Sequence, residues 1–256
     1  MENNLNKISV VIIVKNGAET IEKVLNSLIT FNDVVLYDNG STDGTQNIAS
    51  NFKNVNLIKG EFLGFGPTKN KAASYSKHNW ILSLDADEVV SDEMLKNIQT
   101  INLNESKVYE IRRFNYYNNK RINYCGWGEE RIVRLYDKSI TSFNNNIVHE
   151  KILSNGLSVA IIDGELRHYP YNSMNQFIQK ADYYSTLFAK ENVGKKSSSP
   201  QKAFFNATFS FVKTYIFKRG FLDGYVGLVI SVSHAVTNFF KYIKLYELNK
   251  NINNIK

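Results

Sequence analysis

Between residues 8 and 91 the chain alternates short β-branched apolar runs with stretches of helical periodicity, and this alternation restricts what it can fold into more than any single motif. The run Ile8–Val14 stops at the turn pair Asn16-Gly17. Ile21, Val24, Leu25, Leu28 and Ile29 then recur at i, i+3, i+4, i+7 and i+8, one buried stripe of a helix. A second run, Val34–Tyr37, ends at Asp38-Asn39-Gly40 and gives way to a helical stretch from Thr45. Val55–Ile58 is predicted as a third strand, Lys69–Ser76 as a helix and Trp80–Leu84 as a fourth strand. Repeated β-α-β units of this length build an α/β fold, a mainly parallel sheet flanked by helices. Ligands of such sheets bind beyond the carboxyl ends of the strands, so the residues that follow each run are the first candidates for chemistry.

From residue 105 to 170 the pattern shortens to strands at Val108–Arg113, Arg131–Tyr136 and Val159–Ile162, read as a continuation of the same domain. Beyond Ser173 the helical period returns, with Phe177, Ile178, Ala181, Tyr184, Leu187 and Phe188 on one side. A first domain over residues 1–172 and a helical region over 173–256 are therefore expected, with Lys195-Lys196-Ser197-Ser198-Ser199-Pro200 as the best linker candidate. The net charge of +7 is unevenly placed: residues 1–194 hold 21 Lys and Arg against 22 Asp and Glu, residues 195–256 hold 10 against 2. A basic, aromatic-rich tail suits an anionic lipid surface at least as well as a nucleic acid backbone. The lone Cys125 excludes an intramolecular disulfide and a cysteine-based zinc site. MENNLNK offers no apolar signal core, so a cytoplasmic chain is expected.

Asp85-Ala86-Asp87 closes the fourth apolar run. In an extended segment alternate residues face one way, so Asp85 and Asp87 are expected to address one centre. Two hard oxygen donors suit Mg²⁺ or Mn²⁺ bridged to a diphosphate; a solvated acidic loop leading to a cap at Ser91-Asp92-Glu93 is the plainer alternative. Asp38 and Asp43 lie in DNGSTDGT, where an Asx-turn and a helix cap compete with ligand binding. Gly64-Phe65-Gly66-Pro67-Thr68-Lys69 precedes a helix whose N-terminus and lysine can meet phosphate oxygens.

Taken together, ISVVIIVKN, VVLYDNGSTDGT, FGPTKNKA and WILSLDADEVVS resemble the motifs of family 2 glycosyltransferases with the nucleotide-diphosphosugar transferase (GT-A) fold. The resemblance implies a UDP-sugar donor, a metal cofactor, Mn²⁺ or Mg²⁺, and inversion at the anomeric carbon. By it, Asp38 would hydrogen-bond uracil, the region of Lys69 would contact base or diphosphate, Asp87 would ligate the metal, and Asp85 would address ribose, donor sugar or the metal. Val14, Asn16 and Ala86 complete the implied donor-binding edge. An inverting transfer needs a general base near the acceptor hydroxyl. The stretch Trp127–Tyr136 is similar to the family segment that places an acid four positions before an Arg-Leu-aromatic strand, which selects Glu130 with Glu129 beside it. The plain alternative pairs both glutamates with Arg131 and Arg134. Val148-His149-Glu150 matches a further element, in which His149 would complete the metal shell or face the acceptor, a hydrogen-bonded surface histidine being the plainer alternative; His168, after a strand, is expected to be a packed, satisfied histidine, with acceptor contact as its alternative.

The uncharged stretch Gly224–Phe240 has 17 residues, short of the ~20 a spanning helix wants, so no transmembrane span is expected. Phe204, Phe205, Phe209 and Phe217 among Lys202, Lys213 and Lys218 suit a helix in the headgroup zone, or a cap or dimer contact. The run Phe211–Gly224 extends the resemblance to a subgroup that includes lipopolysaccharide-core β-1,4-glucosyltransferases. The expected function is transfer of a hexose, glucose in the first instance, to a sugar hydroxyl of a membrane-associated glycan or glycolipid. Such an enzyme would sit peripherally on the cytoplasmic face of an anionic inner membrane, with no nucleic acid partner. Alternatives are a capsule glycan or protein acceptor, a sugar-phosphate nucleotidyltransferase, and a non-catalytic membrane or nucleic-acid-binding module.

Overall fold

A computed structural model describes residues 3–147 and 149–255, with side chains through Asn251. The chain divides into two compact units, Met1–Phe114 with Glu129–Tyr169, and Asn115–Gly128 with Pro170–Lys256.

The first unit is built on strands β1 (Ile8–Val14), β2 (Val34–Asp38), β3 (Val55–Lys59), β4 (Trp80–Asp85) and β5 (Glu88–Val90). It continues through β6 (Lys107–Tyr117), β8 (Glu130–Asp137) and β9 (Ser158–His168); the last residues of β6 and their partner β7 (Lys120–Arg121) belong to the second unit. The sheet order is β3-β2-β1-β4-β8-β6-β9-β5. The pairs among β3, β2, β1 and β4 are parallel, whereas β4–β8, β6–β8 and β5–β9 are antiparallel. β1 reads ISVVIIV with every residue buried, as a central parallel strand covered on both faces must be. Register carries the consequence for function: Val14 lies opposite Asp38 and Ile13 opposite Asp85, so three strands deliver those residues to one edge.

Helices α1 (Ile21–Asn26), α2 (Thr45–Ala49), α3 (Phe65–Ala73) and α4 (Asp92–Thr100) complete this unit. α1 is shorter than its apolar stripe: Ser27 Oγ bonds the Val24 carbonyl, the chain tightens through Leu28 N–H to Leu25, and Ile29 ends 64% exposed. α3 begins at Phe65, four residues before the expected Lys69, since Pro67 is tolerated in a first turn whose amides have no helical partner. The expectation of an extended Asp85-Ala86-Asp87 fails. The chain turns at Ala86–Asp87 between β4 and β5, which removes the alternation that would have aimed both carboxylates one way. Ser91 does cap α4, accepting from the Met94 amide.

In the second unit, α5 (Met174–Asn192) and α6 (Pro200–Val212) start at Ser173 and Ser199, each accepting an amide hydrogen bond as an N-cap. A π-helical turn over Lys213–Phe217 and a 3₁₀ turn over Gly220–Asp223 lead to α7 (Tyr225–Ile255), which packs on α5 and α6. Gly227 allows this bend, because a Cβ there would lie 1.8 Å from the Gly220 carbonyl oxygen. The expected linker at residues 195–200 is the connection between α5 and α6, inside one unit. The length argument against a membrane span also fails: the uncharged stretch is part of a longer helix, and Tyr225–Asn251 is long and apolar enough to cross a membrane by length and composition, with 28% of its most apolar window buried. Its polar side chains bind it to its neighbours, Asn238 to Ser210 at 3.0 Å and Lys244 to Asp182 at 2.7 Å. Residues 115–128 join this unit through buried Asp223, whose carboxylate accepts the amides of Asn123 at 3.2 Å and Tyr124 at 2.9 Å.

Candidate active site

The carboxyl edge of the first unit has two parts. Beyond β1 and β2, the loops interlock through small polar groups. Asn16, held at φ 56°, donates its amide to Ser41 Oγ at 2.8 Å and accepts the Thr42 amide at 2.8 Å. Gly17 N–H reaches Thr45 Oγ1 at 2.9 Å, and Ala18 N–H reaches Asp43 Oδ2 at 2.9 Å. Only glycine fits at 17, since a Cβ would stand 2.8 Å from Val14 Cγ2. Thr20 Oγ1 donates to the Ala86 carbonyl at 2.8 Å, which ties the β4–β5 turn to the same lattice. Slight burial raises the Asp43 carboxyl, but hydrogen bonds from Thr45 and Ala18 outweigh it and lower its pKa.

Val14, Asn16, Asp38 and Ala86 thus meet at one edge, with one revision. Asp38 is wholly buried; it accepts the Ser41 amide at 3.2 Å, the Ser41 hydroxyl, and Gln46 Nε2 at 2.6 Å. Its lone pairs are spent on building the loop, so it is not displayed to a uracil. Val14 likewise contributes a backbone carbonyl, which accepts the Asn39 amide at 2.8 Å.

Beyond β4, β6 and β8 the edge is made of full charges. Glu88 is 0% exposed and accepts from Arg113 Nη1 at 2.8 Å, from Arg134 Nη2, and from the Asp85 amide at 3.0 Å. Asp85 uses one oxygen for Lys69 at 2.9 Å and the other for Arg134 at 2.6 Å. Burial pushes its carboxyl up, yet the Arg134 and Lys69 cations hold it well below the usual carboxylate range. Burial also disfavours the Arg134 cation, and Asp85 and Glu88 more than reverse this, so it stays charged. Lys69 is 2% exposed, clamped between Asp85 and Glu150 at 2.8 Å, with its ammonium 5.2 Å from the Phe143 ring centroid. The expectation that Lys69 meets base or diphosphate is corrected: it neutralises two carboxylates under the surface.

Arg113 connects this network to the proposed base. It binds Glu88 on one side and Glu130 on the other, through Nε at 3.2 Å and a closer Nη2 contact. Burial lowers the Arg113 pKa, and Glu88 and Glu130 together raise it above its ordinary value. Glu130 is 44% exposed, fixed by one cation and open to solvent. Glu129 takes the plain alternative and pairs with Arg131 at 3.4 Å. A cleft of about 440 Å³ opens beside these groups, lined in part by Asp85, Arg113, Arg134, Glu110, Arg131 and Glu150.

The expected metal set does not assemble. Both Asp85 oxygens are taken by cations, exposed His149 sits at φ 59°, and among the described residues no group of three or more His, Cys, Asp or Glu could hold a metal ion. Instead Asp87 faces His168, Oδ2 to Nε2 at 3.4 Å, and the Asp87 carbonyl accepts the Tyr169 amide at 2.9 Å. Val148 lies outside the described residues. Sequence reasoning missed Glu88, Arg113, Arg134 and Glu150. Arg134 carried a signal, a cation inside the strand ERIVRLYD whose last four residues are buried, which requires buried carboxylates nearby.

The parallel β3-β2-β1-β4 sheet with its helices and the loop lattice at its carboxyl edge define a nucleotide-diphosphosugar transferase fold of GT-A type. The chain belongs to glycosyl transferase family 2, which it matches over residues 9–153. It is 31% identical to an uncharacterized glycosyltransferase of Rickettsia typhi, over 98% of this chain and 90% of that protein. It is 24% identical to a lipopolysaccharide core biosynthesis glycosyltransferase of Rhizobium meliloti, over 94% of this chain and 92% of that one. Among solved structures it is similar to S. aureus TarS, with a TM-score of 0.44 and 16% identity over 98% of this chain and 92% of the other. Membership removes the nucleotidyltransferase and non-catalytic alternatives.

Proposed function

We propose that the protein transfers a hexose, glucose in the first instance, with inversion from a UDP-sugar to a sugar hydroxyl of a membrane-associated glycan. The observation that carries this reading is Glu130, half-exposed and oriented by Arg113 beside a polar cleft at the carboxyl edge of the sheet. An acceptor hydroxyl gives its proton to the Glu130 carboxylate as its oxygen bonds the anomeric carbon, and the bond from that carbon to the diphosphate breaks, releasing UDP. Arg113 holds Glu130 in place, Glu88 holds Arg113, and the buried Lys69 ties Asp85 to Glu150 in the cleft wall.

Asp87 and His168 are the residues that would hold a divalent cation. A carboxylate oxygen and an imidazole nitrogen already face each other there at 3.4 Å, a donor pair whose chemistry would suit Mn²⁺ or Mg²⁺. Such a cation offsets the charge that develops on a departing diphosphate. For location, the exposed Phe204, Phe205, Phe209 and Phe217 in the basic C-terminal stretch favour peripheral contact with the cytoplasmic face of an anionic membrane.

The test is thermal stabilisation across nucleotide-sugars with and without Mn²⁺, followed by kinetics. One UDP-sugar is expected to stabilise the protein with a Mn²⁺ increment that Asp87→Asn abolishes. Glu130→Gln should keep donor binding and lower kcat by roughly 10²–10⁴-fold. Full activity in Glu130→Gln would remove the assignment of the base.

A further inference from the structure

The second unit carries two adjoining depressions. A groove of about 530 Å³ is lined by α5 and α7, its walls including Met174, Ile178, Leu228, Val232, Val236 and Phe240. Ile178 is 65% exposed, and an apolar slot left open to this degree marks an interaction site. Phe177, Ala181 and Ser233 also line a second pocket of about 330 Å³, whose other walls are of opposite character.

That second pocket is aromatic and cationic. Tyr171 stacks on Phe177 at 3.9 Å between centroids, and Trp127 stacks on Tyr171 at 5.4 Å. Lys180 is held 4.2 Å from the Tyr171 ring centroid and donates to the Pro170 carbonyl at 2.7 Å, while Lys241 lines the same pocket from α7. Burial, with Lys218 and Lys241 nearby, lowers the His234 pKa, so the pocket's positive charge comes from its lysines. No carboxylate lines the pocket among the described residues, and Asp182 of the groove is paired with Lys244 at 2.7 Å. An apolar slot whose one charged wall residue, Asp182, is paired with Lys244, and which adjoins a pocket lined by two lysines and aromatic rings, complements a hydrocarbon chain bearing a phosphate.

We infer that the α5–α7 face holds one anionic phospholipid of the bilayer, its acyl chain in the groove and its phosphate between Lys180 and Lys241. The exposed apolar residues Leu228, Val232, Val236 and Phe240 along one stripe of α7 agree with this. The inference deepens the membrane-contact part of the proposed function and is independent of donor, acceptor and catalytic base.

The chain has two tryptophans, so Trp80→Phe in the full-length protein leaves Trp127 as the reporter beside the pocket. The probe is a vesicle of equal parts phosphatidylcholine and chain-brominated phosphatidylglycerol. The expected result is co-sedimentation with at least twofold quenching of Trp127 emission. Val232→Asp or the more exposed Ile178→Glu should abolish quenching, with circular dichroism melts verifying that each variant is folded. Lys180→Ala and Lys241→Ala should each weaken binding about fivefold, an effect absent on pure phosphatidylcholine vesicles. Co-sedimentation without quenching, or quenching that survives both groove variants, would overturn the lipid site and leave the membrane contact standing. Failure to sediment would overturn both. A dimer seen by light scattering that Val232→Asp dissolves would assign the groove to a second copy of the chain instead.

Discussion

The two parts of the carboxyl edge are held by different forces. Beyond β1 and β2, Asn16, Gly17 and Ala18 exchange hydrogen bonds at 2.8–2.9 Å with Ser41, Thr42, Asp43 and Thr45, several of them at the surface. Each such bond contributes about 1 kcal/mol, because water competes for the same partners. Beyond β4, β6 and β8, Glu88, Lys69 and Arg134 are charges placed where water barely reaches, and the partly exposed Asp85 is paired with two of them. There the desolvation cost is already spent, and removing one partner strands the others. The first region can give a little as a ligand enters. The second must stay intact for Arg113 to keep Glu130 in position.

The sharpest way to break this contrast is Glu88→Gln, which leaves Arg134 and Arg113 short of a counter-charge. It should lower unfolding free energy by about 3–5 kcal/mol, read from urea denaturation; a loss below about 1 kcal/mol would erase the distinction. Next in size is the acid limb of stability. Because the folded Asp85 carboxyl lies well below its unfolded value, it adds stability that is complete above about pH 4 and is lost as pH falls through the folded value. Wild-type unfolding free energy should therefore fall steadily below about pH 4, with a flatter slope in Asp85→Asn. Smallest is Ser41→Ala in the hydrogen-bonded loops, which removes a partner of Asp38 and Asn16. It should cost about 1 kcal/mol, and its effect should appear more in donor KM than in kcat.

The same contrast explains what the amino-acid order revealed. The parallel half of the sheet was legible because β1, β2 and β4 are continuous apolar runs that end in turn residues, and the residues of its hydrogen-bonded loops lie next to those ends in sequence. Short β5 was not legible, and neither was the charged network. Its members come from α3, β4, β5, β6, β8 and the loop before β9, paired across separations such as Lys69 to Glu150, 81 residues apart. Local spacing does not encode such pairs. Asp85-Ala86-Asp87 was recognisable as a motif, yet its geometry followed from a turn that the alternation rule does not describe. His168 was legible only as a histidine ending a strand; antiparallel pairing of β5 with β9 brings it to Asp87.

Residues 115–128 are fastened to Asp223, with 100 positions between Asn123 and its acceptor. On the ribosome, at about 5–20 residues per second, that flap emerges roughly 5–20 seconds before the carboxylate that secures it. Until then Tyr117, Ile122 and Cys125, buried in the finished unit, lack Val226, Val229 and Ile230 of α7, which pack on them. A nascent chain stalled at residue 170 would present this greasy flap to chaperones, and the closing helices act as the last step of its biogenesis.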